Sequence, residues 1–255
     1  FMADKGTCKN VFMAFCKSLY WSDILSSLTY PWMRGVRNFL LRKRGVGRID
    51  NLNLKSQPVF KSIFGDNWND LPPVMKKHYA NRPYSEDKVM VQGRLNMMCK
   101  GPVKWLSPVF WLMRGIPPHN EQDVSVTVTF KSEPDSKAFV FDRHFDFKMC
   151  KPYEFISRMV QVEGNEVVEI MPYRIGWRME YLWQDNKVIL KHKGYVLHLF
   201  GHFMPLPLTW LIGKGYAEEH AIDDNSFEMM THITHPIWGK IYEYRGRFVF
   251  KGEPK

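Results

Sequence analysis

This sequence has neither a long apolar run nor cysteines at the spacing of a metal site or a disulfide framework. No uninterrupted run of about 20 apolar residues occurs, so a membrane-spanning helix is not expected. A secretory signal is not expected either, because Asp4 and Lys9 precede an apolar run that Lys17 and Asp23 interrupt. The four cysteines have no CxxC spacing, which disfavours a zinc site or a disulfide framework and favours reduced thiols. These absences predict a cytoplasmic protein.

The motifs that would identify a common enzyme class or a nucleic-acid-binding module are also absent. There is no GxSxG, GxGxxG, P-loop or HExxH, and no RRM, KH, zinc-finger or helix-turn-helix signature. His198 and His202 are four residues apart and His232 and His235 are three apart, but both pairs lie in strand-like sequence. In a strand, four residues separate two side chains by about 13 Å. We therefore expect no metal, no cofactor and no nucleic-acid partner.

What the chain does have is positive charge and many aromatic side chains. Its formal net charge is +10, which favours an anionic partner such as acidic lipid headgroups or an acidic ligand. Aromatic residues make up 15% of the sequence. Such a content is typical of barrel interiors, ligand cavities and membrane interfaces. It therefore limits the possible folds more than the possible functions.

Residues 1–55 are predicted to be a basic, aromatic helical extension. Apolar residues recur there at helical spacing, and a cluster of cations follows them. This arrangement is typical of a helix that lies on an anionic membrane, although an amphipathic helix packed on its own domain has the same pattern. The predicted membrane contacts are Phe12, Phe15, Trp32, Arg42, Lys43 and Arg44.

Residues 56–255 are predicted to form the main domain. Residues 58–82 have a helical pattern that breaks at Gly65 and restarts at Leu71-Pro72-Pro73. From Val89 onward the period changes to two, with about nine candidate strands joined mostly by short polar turns. The fold class is therefore α+β. We expect a large curled antiparallel β-sheet, or a lipocalin-like β-barrel, with N-terminal helices.

A set of short motifs resembles one known family across roughly residues 58–250. These motifs are Phe64-Gly65, Leu71-Pro72 with His78, Gly93-Arg94-Leu95, Pro117-Pro118, Arg143-x-Phe145, Glu218-Glu219, and His235-Pro-x-x-Gly239 with Tyr244-x-Gly246-x-Phe248. In order and spacing they resemble DUF4166, a bacterial family of unknown function. The resemblance implies the extent of the domain but supplies no catalytic residues.

Arg143 is the most unusual residue of the predicted sheet. It falls on the same face of its strand as Phe139, Phe141, Phe145 and Phe147. An unpaired buried charge is too costly to keep, so the guanidinium must meet a carboxylate, carbonyl groups or an anionic ligand. Glu180 and Glu219 are the candidate carboxylates for an internal ion pair, and a β-bulge that returns the side chain to solvent is the other structural option.

A wide aromatic face in residues 173–183 is predicted to be either core or the wall of a ligand cavity. Its inward positions alternate with charged residues, and a barrel of about eight or more strands can hold one small ligand. Together with the Arg143 strand and the last strand, it supplies the predicted ligand-binding residues. They are Phe141, Arg143, Phe145, Trp177, Met179, Glu180, Tyr181, Tyr242, Tyr244 and Phe248.

Two groups of polar residues could support acid–base chemistry. Asp142, His144 and Asp146 share one strand face, and Glu218-Glu219-His220 lies near a strand start. Alternating charges on a strand more commonly form its solvated face, and no catalytic residue is assigned.

Two apolar segments, residues 103–116 and 195–212, carry tryptophan and are bounded by Gly or Pro. Pro205 and Pro207 disfavour a central strand and suggest a loop or flap over the barrel mouth. If such flaps are exposed, they mark a contact with a membrane or another protein.

Three functions therefore stay open. The preferred one is binding of a hydrophobic or anionic amphiphilic small molecule or lipid in the barrel, with peripheral membrane association. The alternatives are an enzyme that acts on such a ligand and an interaction domain with a filled core.

Overall fold

Eleven antiparallel β-strands form a single sheet in the part of the chain that the computed structural model describes, residues 56–112 and 114–251. The strands are β1 Lys88–Cys99, β2 Glu121–Ser132, β3 Phe139–Asp146, β4 Tyr153–Glu163, β5 Glu166–Ile170, β6 Ile175–Gln184, β7 Lys187–Leu199, β8 His202–Leu206, β9 Lys214–Asp223, β10 Ser226–His235 and β11 Gly239–Phe250. The predicted membrane contacts at positions 12, 15, 32 and 42–44 lie outside the described residues.

The helices of the described segments are short. They are α1 Val59–Phe64, α2 Pro73–His78, α3 Pro102–Trp105, α4 Ser107–Leu112 and α5 Thr209–Ile212, with 3₁₀ turns at Gly65–Asp70 and Pro172–Arg174. The predicted helical segment 58–82 is thus α1 and α2, interrupted at Gly65 as expected, and Pro73 occupies the first turn of α2. Within these segments, no helix has both the length and the apolarity to cross a bilayer.

Ten of the eleven strands close into a barrel. The order of neighbouring strands is β6-β5-β4-β3-β2-β1-β11-β10-β9-β7, and the additional pairing of β6 with β7 completes the ring. Most neighbours are consecutive in sequence, so the chain runs up and down around the barrel. The predicted α+β fold, a lipocalin-like barrel with helices N-terminal to it, is confirmed.

Alternating side chains explain why the strands curl around one core. In β11, Tyr242, Tyr244, Phe248 and Phe250 are all buried, whereas the residues between them are more accessible. In β3, the predicted aromatic face also points inward. A period of two therefore places one face of each strand in the barrel and the other face outside.

Two strands differ from the expectation. β4 was not among the predicted strands, although its residues Tyr153, Phe155 and Met159 alternate inward. β8 lies in the segment that was expected to be a loop or flap. It contains Pro205 and pairs only with β7, which fits an edge strand because proline cannot donate a hydrogen bond to a neighbour on its free side.

Helices α1 and α2 plug one end of the barrel. The Phe60 ring is fully buried, with its centroid 5.0 Å from that of Phe139 and 5.2 Å from that of Tyr181. At the end of α2, His78 and Tyr79 reach the interior, where the His78 ring lies 4.3 Å from the Phe130 ring. The plug therefore supplies side chains to the core that the strands do not supply.

The two ends of the barrel have different connections. We call the plugged end the short-turn end, because most of the strands meeting there are joined by turns of two residues, as at Asp185-Asn186. Both of these residues have positive φ angles, of 52° and 56°, which a tight hairpin of this kind requires. The opposite end, the long-loop end, carries the connections at residues 100–120, 147–152, 171–174, 200–213 and 236–238.

Replacing Phe60 with alanine should destabilise the domain strongly, because the plug would lose its central ring. Truncation of a fully buried phenylalanine costs about 3–5 kcal/mol in free energy of unfolding. Phe200→Ala is the matched control, since Phe200 is exposed, and its change should be within about 0.5 kcal/mol. Urea unfolding of the two variants measures the difference. Similar values for both would contradict the role assigned to the plug.

Candidate functional site

The Arg143 side chain lies inside the barrel, largely buried, and has hydrogen-bond partners on two sides. Its Nη2 donates to Glu169 Oε1 at 2.8 Å and its Nη1 donates to Ser157 Oγ at 2.9 Å. The Ser157 hydroxyl donates to the same carboxylate oxygen at 2.6 Å. The guanidinium also lies between the rings of Phe141 and Phe155, 4.6 Å from each centroid. Charge, hydrogen bonds and cation–π contacts together offset the cost of burying the cation.

The observed partner corrects the predicted ion pair. Glu180, one predicted partner, faces outward and lies 3.9 Å from Lys193. Glu219, the other, points into the barrel but is hydrogen-bonded to Tyr79 instead. The bulge alternative is also wrong, since Arg143 pairs in regular register with Val128 and Phe155 on the neighbouring strands.

A second polar group lies where the plug meets the barrel wall. The Tyr79 hydroxyl donates to Glu219 Oε2 at 2.6 Å. His78 Nε2 lies 4.0 Å from the same oxygen, which is too long for a hydrogen bond. Neither ring nitrogen of His78 has a hydrogen-bond partner among the described residues, although the residue is almost completely buried. His78 is therefore a polar side chain with unused hydrogen-bonding capacity inside an apolar barrel.

Burial sets the protonation of this second group. It lowers the pKa of His78 to about 3, with a further contribution from the charge of Arg143, so the imidazole is neutral and makes no ion pair with Glu219. Burial raises the pKa of Glu219 to about 7, despite the opposing effects of the Tyr79 hydrogen bond and of Arg143. Burial also raises the pKa of Tyr79, so its phenol stays protonated as a donor. Near neutral pH, Glu219 is the group of this site that can gain or lose a proton.

Both polar groups line one interior cavity of about 50 Å³. Most of its wall is apolar, and its polar members include His78, Arg143, Glu169 and Glu219. A site for one water molecule takes about 10–15 Å³ on this measure, so the space corresponds to roughly three to five waters. The cavity is a small amphiphilic chamber inside the barrel.

Most of the sequence-predicted ligand-binding residues come together at this chamber. Those that line it are Phe141, Arg143, Phe145, Trp177, Tyr181, Tyr244 and Phe248. Met179 and Tyr242 are buried elsewhere in the core, and the Tyr242 hydroxyl donates to the Pro117 carbonyl at 3.2 Å. Glu180 is on the outer face. Tyr173, expected at the edge of the aromatic wall, is exposed in the 3₁₀ turn.

The two groups that were considered for acid–base chemistry do not converge. His144 and Asp146 pair with each other on the outside, and Asp142 pairs with Lys131. Glu218 binds Lys187 on the outer face, while its neighbour Glu219 points inward. Within the described segments, no three His, Cys, Asp or Glu side chains are grouped so that they could hold a metal ion.

One seam interrupts the barrel wall near the chamber. β7 pairs with β9 only through Lys187–Lys191, and beyond that point it pairs with β8. The ring of Trp177, on β6, packs against Gly215 of β9 across the gap. Its Nε1 donates to Nδ1 of His192, on β7, at 2.9 Å. The other imidazole nitrogen then carries the proton and donates to Thr209 Oγ1 at 3.0 Å. Trp177 also lines the chamber, so it separates the chamber from the seam.

Sequence reasoning did not single out four residues of the site. His78 was noticed only as part of the family resemblance, and Tyr79 was not noticed at all. Ser157 lies on the strand that was not predicted, and Glu169 lies on β5, where the residues of both faces are buried. The alternation of Tyr153, Phe155 and Ser157 is the signal that could have placed Ser157 inside.

Replacing Arg143 with methionine should cost about 3–5 kcal/mol in free energy of unfolding, because Glu169 would remain buried without its cation. The double variant Arg143→Met/Glu169→Gln should recover part of that loss. Arg158→Met is the matched control, since it breaks an exposed ion pair with Glu133, which is worth about 1 kcal/mol or less. Chemical denaturation measures all three. Equal effects at positions 143 and 158 would show that the interior pair is not needed for stability.

The Glu219→Gln variant should change how stability depends on pH. The folded-state pKa of about 7 is above the ordinary value of 4.5, so the favourable contribution of Glu219 is complete below about pH 4.5 and is lost as the pH rises to about 7. Glutamine does not titrate. As the pH rises from about 4.5 to about 7, the free energy of unfolding of the native protein should fall by about 3 kcal/mol, whereas that of the variant should not show this fall.

Glu218→Gln is the control for this pH experiment. Burial alone would raise the pKa of Glu218, but hydrogen bonds from Lys187 and Tyr216 hold it below its ordinary value. Its contribution is complete above the ordinary value of about 4.5 and is lost only on acidification below that value, so between about pH 5 and about pH 8 the stability of this variant should change in parallel with that of the native protein. Urea unfolding at about pH 5 and about pH 8 distinguishes the two variants. The same trend in both would contradict the inward placement of Glu219.

Comparison with known proteins agrees with the extent of this domain. The model of a domain of unknown function, DUF4166, matches residues 71–248. That range begins just before α2 and ends within β11, so it includes His78, Arg143, Glu169 and Glu219. No curated protein matches the chain in a sequence search. Since the family model covers well over half of the sequence and the whole polar chamber, the chain belongs to the DUF4166 family.

Proposed function

We propose that this domain binds a small amphiphilic molecule in its barrel, with the polar end of the molecule against His78, Glu219 and Arg143. The observation that carries the proposal is the pair of unpartnered nitrogens of buried His78. A buried polar group without a partner costs about 1–3 kcal/mol, and native proteins rarely retain one. A ligand group in the chamber would accept from one imidazole nitrogen and donate to the other.

The chemistry of the wall supports a ligand with a carboxyl, amide or hydroxyl group. A guanidinium has five N–H donors, of which two are used in the contacts of Arg143 with Ser157 and Glu169. Glu219 can accept when ionised and donate when protonated, and its pKa of about 7 makes both forms available near neutral pH. The apolar remainder of the wall, with Val128 and Phe248 among its members, suits a short hydrocarbon part.

The volume of the chamber limits the size of this ligand. About 50 Å³ accommodates a few non-hydrogen atoms. This volume favours a small molecule over a lipid with long acyl chains, and it narrows the ligand class expected from sequence.

A second candidate is an enzyme that acts on the same ligand. The observation that favours it is Glu219, a carboxyl group with a pKa of about 7 on a cavity wall, 4.0 Å from a neutral imidazole. A group whose pKa matches the working pH is suited to general acid–base catalysis. The outward groups around His144 and His220 do not contribute to this candidate.

The test combines detection of a natural ligand with a defined probe set. Native mass spectrometry and organic extraction of freshly purified protein would reveal any molecule that co-purifies. Thermal shift with acetate, propionate and butanoate, and with the matching amides and alcohols, would then measure binding. We expect at least one chemical class to raise the melting temperature of the native protein but not of His78→Phe, because that variant lacks both imidazole nitrogens.

Arg158→Met, altered on the outer face, is the control and should respond like the native protein. Recovery of the probe chemically unchanged favours a binding module, whereas conversion of the probe favours the enzyme. A clean protein mass together with no response to any probe would contradict binding and favour an interaction domain with a filled core.

A further inference from the structure

The long-loop end of the barrel exposes large apolar side chains. Trp105 is 77% exposed, Trp210 80% and Phe200 92%. Ile237, at 75%, and Trp238 extend the same surface. All five lie in the connections 100–120, 200–213 and 236–238, which meet at this end because neighbouring strands alternate in direction. We call this surface the aromatic rim.

Packing within the described residues does not account for the rim. Phe200 lies in the tight turn between β7 and β8 with a φ of 50°, a conformation that a bulky side chain rarely adopts. Neither burial nor the backbone conformation therefore favours a phenylalanine at this position. Its side chain is presented to whatever lies beyond this end of the molecule.

The loop residues at the same end carry positive charge only, and the carboxylates that directly adjoin these loops, Glu121 and Asp146, are paired with His119 and His144. The five connections of the long-loop end contain no Asp or Glu. Within or directly beside them are exposed cations that make no ion pair in the part of the chain that the structure describes. They are Lys100, Lys104, Arg114, Lys151, Arg174 and Lys214.

The short-turn end differs, because it carries charges of both signs. Its turns contain Glu133, Asp135, Asp185 and Asp224 together with Lys137, and Arg158 pairs there with Glu133. Within the described domain, the turns of the short-turn end therefore contain carboxylates, whereas the connections of the long-loop end contain none and combine unpaired cations with tryptophan.

We propose that the aromatic rim and its cations dock the domain on an anionic phospholipid membrane. Tryptophan is favoured at the boundary between headgroups and hydrocarbon, because its ring is apolar and its N–H is polar. Lysine and arginine beside such rings attract acidic headgroups. The absence of carboxylates from the five connections removes the repulsion that would otherwise oppose this contact.

The test uses the full chain and co-sedimentation with vesicles. One set of vesicles contains equal parts of phosphatidylserine and phosphatidylcholine, and the other contains phosphatidylcholine alone. The native protein should sediment with the first set and much less with the second. Each cation removed should weaken binding about fivefold, so the triple variant Lys104→Gln/Arg174→Gln/Lys214→Gln should bind about a hundredfold more weakly. Trp105→Ser/Phe200→Ser/Trp210→Ser should also lose binding.

Two control variants locate the contact. Lys88→Gln/Lys137→Gln/Lys251→Gln removes the same charge from exposed positions at the short-turn end and should bind like the native protein. Arg42→Gln/Lys43→Gln/Arg44→Gln tests the separate expectation for the N-terminal segment and should leave most of the binding intact. Circular dichroism checks that every variant is folded, and since the substituted rim residues are exposed, each should unfold at the native temperature.

Three results would overturn the proposal. They are no sedimentation of the native protein, equal binding to both vesicle types, or loss of binding in the 42–44 variant with none in the rim variants. Association of the native protein with itself through the rim, seen by sedimentation velocity without lipid, would assign the surface to a second copy instead.

Discussion

The width of the barrel is the constraint on which the rest of this structure depends. About eight strands enclose a space that their own side chains can fill, and a ring of ten encloses more. Here the excess is taken up by α1 and α2 at one end and by large aromatic side chains along the walls. The plug brings Phe60, His78 and Tyr79 into the interior, and the space left between plug and wall is the chamber.

Two polar groups share this interior but differ in how completely they are satisfied. Around Arg143, the cation, the Glu169 carboxylate and the Ser157 hydroxyl bind one another. These contacts offset the cost of burying the charges without any further partner. Around His78, the imidazole has no partner, and the nearest carboxyl oxygen already accepts from Tyr79. A self-satisfied group is consistent with a structural role, whereas an unsatisfied one points to a missing partner. His78 is therefore the stronger indication of a ligand, although Arg143 is the residue that the sequence singled out.

Local periodicity predicted the fold well, because alternation is a property of each strand by itself. It identified the inward faces of β3, β6 and β11 and, through them, seven of the residues that line the chamber. It did not predict the polar contacts, because these depend on register between distant segments: Tyr79 meets Glu219 across 140 residues of sequence. Glu169 was not distinguishable in a strand with both faces buried. The helical pattern of α1 and α2 predicts an apolar face but does not say which surface that face packs against. Their entry into the barrel therefore could not be inferred from the sequence.

The seam between β7 and β9 gives the enclosed chamber a kinetic property that a complete ring would lack. Elsewhere, opening the wall means separating two strands and breaking a continuous ladder of backbone hydrogen bonds. At the seam, β7 has no backbone pairing with β9 beyond Lys191, and the hydrogen-bonded side chains of Trp177, His192 and Thr209 lie there instead. Side-chain rotation is many orders of magnitude faster than global unfolding. Opening the wall at this point would therefore depend on side-chain rotation and not on unfolding of the barrel.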